Sequence, residues 1–172
     1  MTSTVTRKMT CAYDLKDYTL RYEFPDGMDK ASASLLIKDD EIGLRKAVDL
    51  SWYEVNFVTD DVAYIKFTTK AKNLVDVKLS EYAVIRSVEL VLSLEKLNKA
   101  ILARVKSYEE EASHFARLYY NTEAVETTLI SYQVQPDSLL SETLSYEEFT
   151  QRTRLPVYKA NLTMTVESKV VA

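Results

Sequence analysis

The most constraining feature of the sequence is its long middle stretch, from Leu44 to Gln135, which contains neither glycine nor proline. A helix inside this stretch therefore meets no strong stop signal. From about Ser80 to Tyr120, apolar residues recur every three or four positions, with one four-residue slip at Ile101, which is the rhythm of a buried helix stripe. This seam comprises Leu90, Leu94, Leu97, Ile101, Val105, Tyr108, Ala112, Phe115 and Tyr119.

The predicted helix is longer than a compact domain of this size. About 40 residues at roughly 1.5 Å each make a rod of about 60 Å, whereas a chain of 172 residues folds into a globule about 40 Å across. The overhanging part would expose Leu, Phe and Tyr side chains unless another chain covers them. The sequence therefore predicts a homo-oligomer whose interface comprises Leu90, Leu94, Leu97, Ile101, Val105, Tyr108, Phe115 and Tyr119. In the alternative, the helix breaks near Asn98 or Ser113 and folds back within one domain.

Alternating apolar and polar residues predict strands on both sides of this helix. Tyr18 to Phe24 alternate in this way, and Pro25 and Gly27 then favour a turn. Residues 31–37 are predicted to return as a strand, followed by a loop or short helix over 39–47. Further strands are predicted at 74–79, 127–134 and 158–166, although residues 123–132 also fit a continued helix.

One hairpin is predicted with its register. An odd loop at Thr59-Asp60-Asp61 would place apolar residues of both strands on the inner face and Glu54 opposite Lys66 on the outer face. The predicted inner pairs are Tyr53 with Phe67, Val55 with Ile65, and Phe57 with Ala63.

The elements together predict an α+β fold. Ser80 is a candidate N-cap for the long helix, over about 80–120, and Asp137 or Ser138 for a shorter helix over about 138–153. These helices would pack with an antiparallel sheet of five or six strands in a single domain covering residues 1–172.

Composition bounds the cellular setting. The net charge of −4 and the pI near 5.2 argue against a surface built to wrap duplex DNA. No run of 18 apolar residues is present, which predicts no membrane span, and the polar stretch 1–9 does not resemble a signal peptide. With Cys11 as the single cysteine, the expected location is cytoplasmic, or in a virion if the chain is viral.

Several kinds of chemistry are excluded by residue counts. Gly27 and Gly43 are the only glycines, so phosphate-binding glycine loops and nucleophile elbows are absent. His114 follows Glu111 at the Glu-x-x-His spacing of di-iron helices, but that site needs two such motifs. The acidic run 109–111 is more typical of a solvated face paired with Lys106 and Arg117. We therefore expect no metal, no cofactor and no small-molecule substrate.

The two other functional hypotheses use different residues. An enzyme would have to assemble a carboxylate site from Asp39, Asp40, Glu41, Asp60 and Asp61, which all fall in predicted turns, where Asp is expected for backbone reasons. A single-stranded nucleic-acid-binding module would use the outer hairpin face, where aromatic rings can stack bases and lysines can neutralise phosphates. That face comprises Trp52, Tyr64, Lys66, Lys70 and Lys72. An ordinary solvated sheet face carries the same residue types, and we favour this interpretation.

The leading hypothesis is a non-enzymatic assembly or interaction protein, joined as a homo-oligomer through the long amphipathic helix and through an unpaired sheet edge. The chain length and the scarcity of glycine suggest, by analogy, a viral or phage structural component.

Overall fold

The computed structural model describes residues 1–70, 74 and 77–171, and it shows an α+β fold with antiparallel sheets of three and five strands. In chain order the elements are β1 (Thr2–Ala12), β2 (Leu15–Glu23), α1 (Lys30–Ala47), β3 (Leu50–Phe57), β4 (Val62–Thr69), β5 (Ala83–Val91), α2 (Leu94–Tyr120), β6 (Val125–Pro136), β7 (Ser141–Ser145), α3 (Tyr146–Gln151) and β8 (Val157–Val170).

The chain divides into two compact units. The first unit contains residues 1–12, 92–140 and the segment from 157 onward, and the second contains residues 13–91 and 141–156. The α+β class, the antiparallel pairing and the dominant helix are confirmed. The expectation of a single domain over 1–172 stays a prediction.

The five-stranded sheet of the second unit has the order β3-β4-β2-β5-β7. It contains the predicted hairpin, whose register is confirmed, with Glu54 opposite Lys66. The backbone N–H of Val58 donates to the carbonyl of Val62 at 2.9 Å, so Thr59, Asp60 and Asp61 form the loop. The inner pairs are Tyr53 with Phe67, Val55 with Ile65, and Phe57 with Ala63.

The strand predicted at 31–37 is wrong, because these residues belong to α1. The Asp29 side chain caps this helix by accepting a hydrogen bond from the backbone N–H of Ser32 at 2.7 Å. Gly27, at a φ of 89°, forms the preceding turn. The helix buries one residue per turn, at Ala33, Ile37, Asp40 and Leu44. The prediction missed this spacing because the short run 31–37 also fits the pattern of a strand.

The predicted start of the long helix is also wrong. Residues 83–91 form β5, which lies between β2 and β7, and α2 begins at Leu94 with Ser93 as its N-cap. Leu90 is therefore a buried strand residue of the second unit rather than a helix residue. The enrichment of this segment in β-branched residues, at Val84, Ile85, Val88 and Val91, fits a central strand.

The second helix is shorter than predicted, because residues 141–145 form β7 and only Tyr146–Gln151 are helical in α3. Ser145 is its N-cap, accepting from the backbone N–H of Glu148 at 3.1 Å. The predicted caps bond β8 instead: the Asp137 N–H donates to the Lys159 carbonyl at 2.9 Å, and Ser138 Oγ accepts from the Lys159 N–H at 3.1 Å. Leu74 and residues 77–79 form no strand; the rest of the predicted strand 74–79 lies outside the described residues.

The three-stranded sheet of the first unit has the order β1-β8-β6, and α2 packs against one of its faces. The strand predicted at 158–166 is confirmed as part of β8, which buries alternate residues from Tyr158 to Val166. The segment 127–134 is a strand, since α2 ends at Asn121 in the left-handed conformation (φ 53°) before β6 begins.

Candidate interaction surfaces

The middle of α2 is buried within the first unit. Leu97, Ile101, Val105 and Tyr108, four of the predicted interface residues, are each at most 8% exposed. Tyr108 also bonds β1, with its hydroxyl 2.9 Å from Ser3 Oγ. This part of the seam is therefore covered by the chain's own sheet.

The C-terminal end of α2 exposes a group of apolar residues, which we call the terminal apolar cluster: Phe115, Leu118 and Tyr119. Their exposed fractions are 57%, 69% and 66%. The rings of Phe115 and Tyr119 are stacked with centroids 6.3 Å apart. Phe115 and Tyr119 were predicted from the seam, whereas Leu118 was missed because it lies outside the seam spacing. Leu94, at the other end of α2, is also exposed.

Of the terminal apolar cluster, Leu118 lies on the β1 side of α2, two turns after Glu111 on the same helix face. Glu111, one turn before Phe115, forms a bidentate ion pair with Arg7 of β1, with both N–O distances at 2.7 Å. Lys106 and Arg117 were the partners predicted for the acidic run 109–111. Glu111 pairs with Arg7 instead, and Arg117 pairs with Glu123. The hydrogen bond from Arg7 lowers the pKa of the Glu111 carboxyl below its ordinary value.

The β6 side of α2 presents different residues. Glu109 and Ser113 of the helix line a shallow hollow together with Thr127 of β6. Leu102, two turns before Glu109 on the same helix face, is 57% exposed. The two long sides of α2 thus expose apolar side chains independently.

The two edges of the three-stranded sheet differ in charge. The β1 edge carries Arg7 and Lys8, and charged side chains of this kind discourage pairing with another strand. The β6 edge has no charged residue from Thr127 to Pro136, and Ile130 and Tyr132 are 54% and 46% exposed. A bulge at Leu129–Ser131 and Pro136 interrupt this edge, so the less protected part of β6 is residues 131–135.

The structure places the predicted nucleic-acid residues on the outer hairpin face as follows. Trp52 is 46% exposed, Tyr64 is half-buried and Lys66 is exposed. Lys66 lies opposite Glu54, so a carboxylate accompanies the central lysine. Lys70 is exposed just after β4, and Lys72 lies outside the described residues.

The candidate carboxylates are not gathered into one site. Residues 39–41, predicted in a turn, belong to α1, while Asp60 and Asp61 lie in the hairpin loop. Asp40 is buried, and its carboxylate accepts hydrogen bonds from the Tyr22 hydroxyl at 2.5 Å and the Ser80 backbone N–H at 2.9 Å. Burial and then the bond to Asp40 raise the pKa of Tyr22. Asp40 therefore ties α1 to β2 and the segment before β5.

His114 is exposed on α2. Within residues 1–70, 74 and 77–171, no group of three or more His, Cys, Asp and Glu side chains has an arrangement that could hold a metal ion. Every helix in this described part of the chain is too short or too polar to span a bilayer. Comparison with models of known protein families and with curated proteins gives no match to this chain.

Proposed function

We propose that this chain is a non-enzymatic assembly protein that forms a homo-oligomer through the C-terminal end of α2. The observation that carries the proposal is the terminal apolar cluster, whose three side chains are each more than half exposed although the neighbouring Ala116 of α2 is fully buried. Burying a large apolar side chain contributes about 1.5 to 3 kcal/mol. Covering three such side chains on each protomer therefore favours association.

A second copy of the same chain is the simplest cover for this cluster. Most soluble oligomers are symmetric, and a two-fold contact brings the same patch of both copies together. Phe115, Leu118 and Tyr119 are compatible with self-contact because aromatic and aliphatic side chains pack against their own kind without charge repulsion. The nearest charges form pairs, Arg7 with Glu111 and Arg117 with Glu123.

The test is the molar mass of the full chain by light scattering, measured for the parent and for Leu118→Asp. We expect the parent to be a dimer or larger at about micromolar concentration, where a protein–protein contact of about −8 kcal/mol is half-saturated. Leu118→Asp should lower the mass, because a charge placed in the contact would lack a partner. The matched control is Leu102→Asp, which makes the same substitution at an exposed position of α2 that lies outside the cluster. A folded parent that stays monomeric at high concentration contradicts the proposal.

Single-stranded nucleic-acid binding is the second candidate, and the exposure of Trp52 in the same hairpin as Tyr64 and Lys66 supports it. Trp52 is the only tryptophan, so its fluorescence reports directly on this face. If Trp52 stacks a base, oligothymidine should quench its emission, and Trp52→Ala should weaken binding by about 1 to 3 kcal/mol with a strong salt dependence. We expect no quenching, because the net charge is −4 and Glu54 faces Lys66. Salt-sensitive binding at micromolar affinity would reverse this ranking.

A further inference from the structure

We propose that β6 is a second contact between copies, at which two β6 strands pair antiparallel across a two-fold axis. This inference rests on the proposed homo-oligomeric function, but it uses a different surface from the terminal apolar cluster. The occupant of the β6 edge is the β6 strand of a second copy.

The β6 edge exposes backbone groups that can pair with another strand. An unpaired edge strand presents free backbone N–H and C=O groups, and proteins usually protect it with charges or by keeping it short. β6 is 12 residues long, and it carries no charge from Thr127 to Pro136; a bulge at Leu129–Ser131 and Pro136 confine its regular, uncharged edge to residues 131–135. High β-propensity and low charge are the features that favour strand pairing between chains. Ile130 and Tyr132 add exposed apolar surface at the same edge.

A second copy of β6 fits this edge because both surfaces lack charge. The protein has a net charge of −4, so two copies repel each other unless the surfaces that meet are neutral. The uncharged part of β6 offers such a surface to itself. The other long edge strands are less suited to self-pairing, because β1 carries Arg7 and Lys8 and β3 carries Glu54.

The two β6 strands are proposed to pair in one defined register. When two copies of one strand pair antiparallel about a two-fold axis, residues that lie opposite each other point to the same face of the sheet. The axis therefore passes midway between the two copies of a single residue. An axis at Gln133 places Tyr132 opposite Val134 of the second copy, an aromatic and β-branched pair that stabilises sheets. On the outer face, Gln133 meets itself and Ser131 meets Gln135. Gln133 and Gln135 are exposed and free of charge.

This pairing has a consequence for assembly. It joins two three-stranded sheets into one of six strands, in the order β1-β8-β6-β6-β8-β1, with both α2 helices on the same face. The β6 pairing uses no residue of the terminal apolar cluster, which keeps its own contact. Two distinct two-fold contacts on each copy join more than two copies.

The experiment compares the molar masses of four full-length proteins by light scattering: the parent, Gln133→Lys, Leu118→Asp and the double variant. Lys at position 133 would face its own copy across the axis, and like charges meeting in a contact raise the dissociation constant by about tenfold or more. We expect a parent larger than a dimer, a dimer for each single variant and a monomer for the double variant. Thr6→Lys is the matched control, because it adds the same charge to an exposed position of the β1 edge and, like Gln133, lies opposite Thr163 of β8.

Each failure has its own signature. If Gln133→Lys leaves the parent mass unchanged while Leu118→Asp reduces it, the β6 contact is wrong and the proposed function stands. If Leu118→Asp has no effect while Gln133→Lys reduces the mass, the proposed contact at the end of α2 is wrong. A monomeric parent, or a parent that becomes a monomer with Leu118→Asp alone, overturns the β6 contact.

Oxidative cross-linking tests the register. Cys11 is buried and is the only cysteine, so the parent serves as the background. Gln133→Cys should form a covalent dimer under mild oxidation, because a thiol on the axis meets its own copy within disulfide reach. Gln135→Cys lies on the same strand and face but would meet Ser131, so it should cross-link far less. Equal cross-linking of both variants, or none from Gln133→Cys, overturns the proposed register.

Discussion

Two stretches of α2 carry the same apolar repeat but have different surroundings. From Leu97 to Ala112 the seam residues are buried, whereas Phe115 and Tyr119, the next two positions of the same repeat, are more than half exposed, and Ala116 between them is fully buried. With 27 residues at about 1.5 Å each, α2 is about 40 Å long. The difference shows that an apolar repeat reports a need for cover without saying which chain provides it.

A charge placed in each of the two stretches should change the free energy of unfolding of the protomer by very different amounts. Ile101→Asp buries a carboxylate without a partner under the sheet, and we expect it to destabilise the first unit by about 3 kcal/mol or more. Leu118→Asp places the same charge in solvent within a single protomer and should leave the protomer's own stability nearly unchanged. Chemical denaturation followed by circular dichroism measures both free energies of unfolding.

The two variants should also differ in their dependence on concentration. Loss of stability in Ile101→Asp is internal to the protomer, so it should persist on dilution, whereas any loss in Leu118→Asp should vanish once the parent itself is dissociated. Equal losses at every concentration would show that the two stretches do not differ as the exposures indicate.

The exposed end of α2 also allows a milder substitution, the removal of one aromatic ring. Phe115→Ala removes a ring that stacks on Tyr119, and aromatic residues of this kind are frequent hot spots of interfaces. We expect the dissociation constant of the oligomer to rise about tenfold, which corresponds to about 1.4 kcal/mol. Analytical ultracentrifugation over a dilution series measures this shift, and an unchanged constant would remove Phe115 from the contact.

The sequence identified the strands best where several local signals agreed. In the β3–β4 hairpin the alternation, the loop length and the Glu54–Lys66 pair all selected one register, and that register is present. β5 was mistaken for helix because Leu90, Leu94 and Leu97 have helical spacing by coincidence. The β-branched residues at Val84, Ile85 and Val88 were the competing signal, and pairing on both sides with β2 and β7 decides the outcome.

The exposed surfaces were harder to predict than the elements. The seam gave Phe115 and Tyr119, but the buried stripe of α2 continues from Ala112 to Ala116 instead, because long-range packing decides which side of the last helical turns is covered. Leu118 and Leu102 lie off the seam, so periodicity could not find them. The uncharged run in β6 is visible in the sequence, yet only the strand order shows that it forms an edge.

The ion pair between Arg7 of β1 and Glu111 of α2 should have a small effect on stability. Both side chains are about half exposed, so solvent screens the pair. Because the pKa of Glu111 is lowered in the folded state, the pair stabilises the protein above the pKa of an unfolded Glu, about 4.3, and this contribution is lost as the pH falls through the lowered value. Glu111→Gln should therefore cost slightly more stability at neutral pH than in acid. Denaturation at several pH values measures the difference, and an opposite pH trend would contradict this assignment.

The smallest effect is expected at His114, which is exposed one turn before Leu118 and lies outside the terminal apolar cluster. His114→Ala removes the imidazole and introduces the residue with the highest helix propensity, so the melting temperature should stay the same or rise slightly. The oligomer mass should not change, since the side chain is not one of the three that we expect a second copy to cover. Thermal melting, light scattering and metal analysis of parent and variant test this together. Iron, manganese or zinc bound stoichiometrically by the parent and lost in the variant would contradict it, because the second copy would then be completing a metal site through Glu111 and His114 rather than burying an apolar surface.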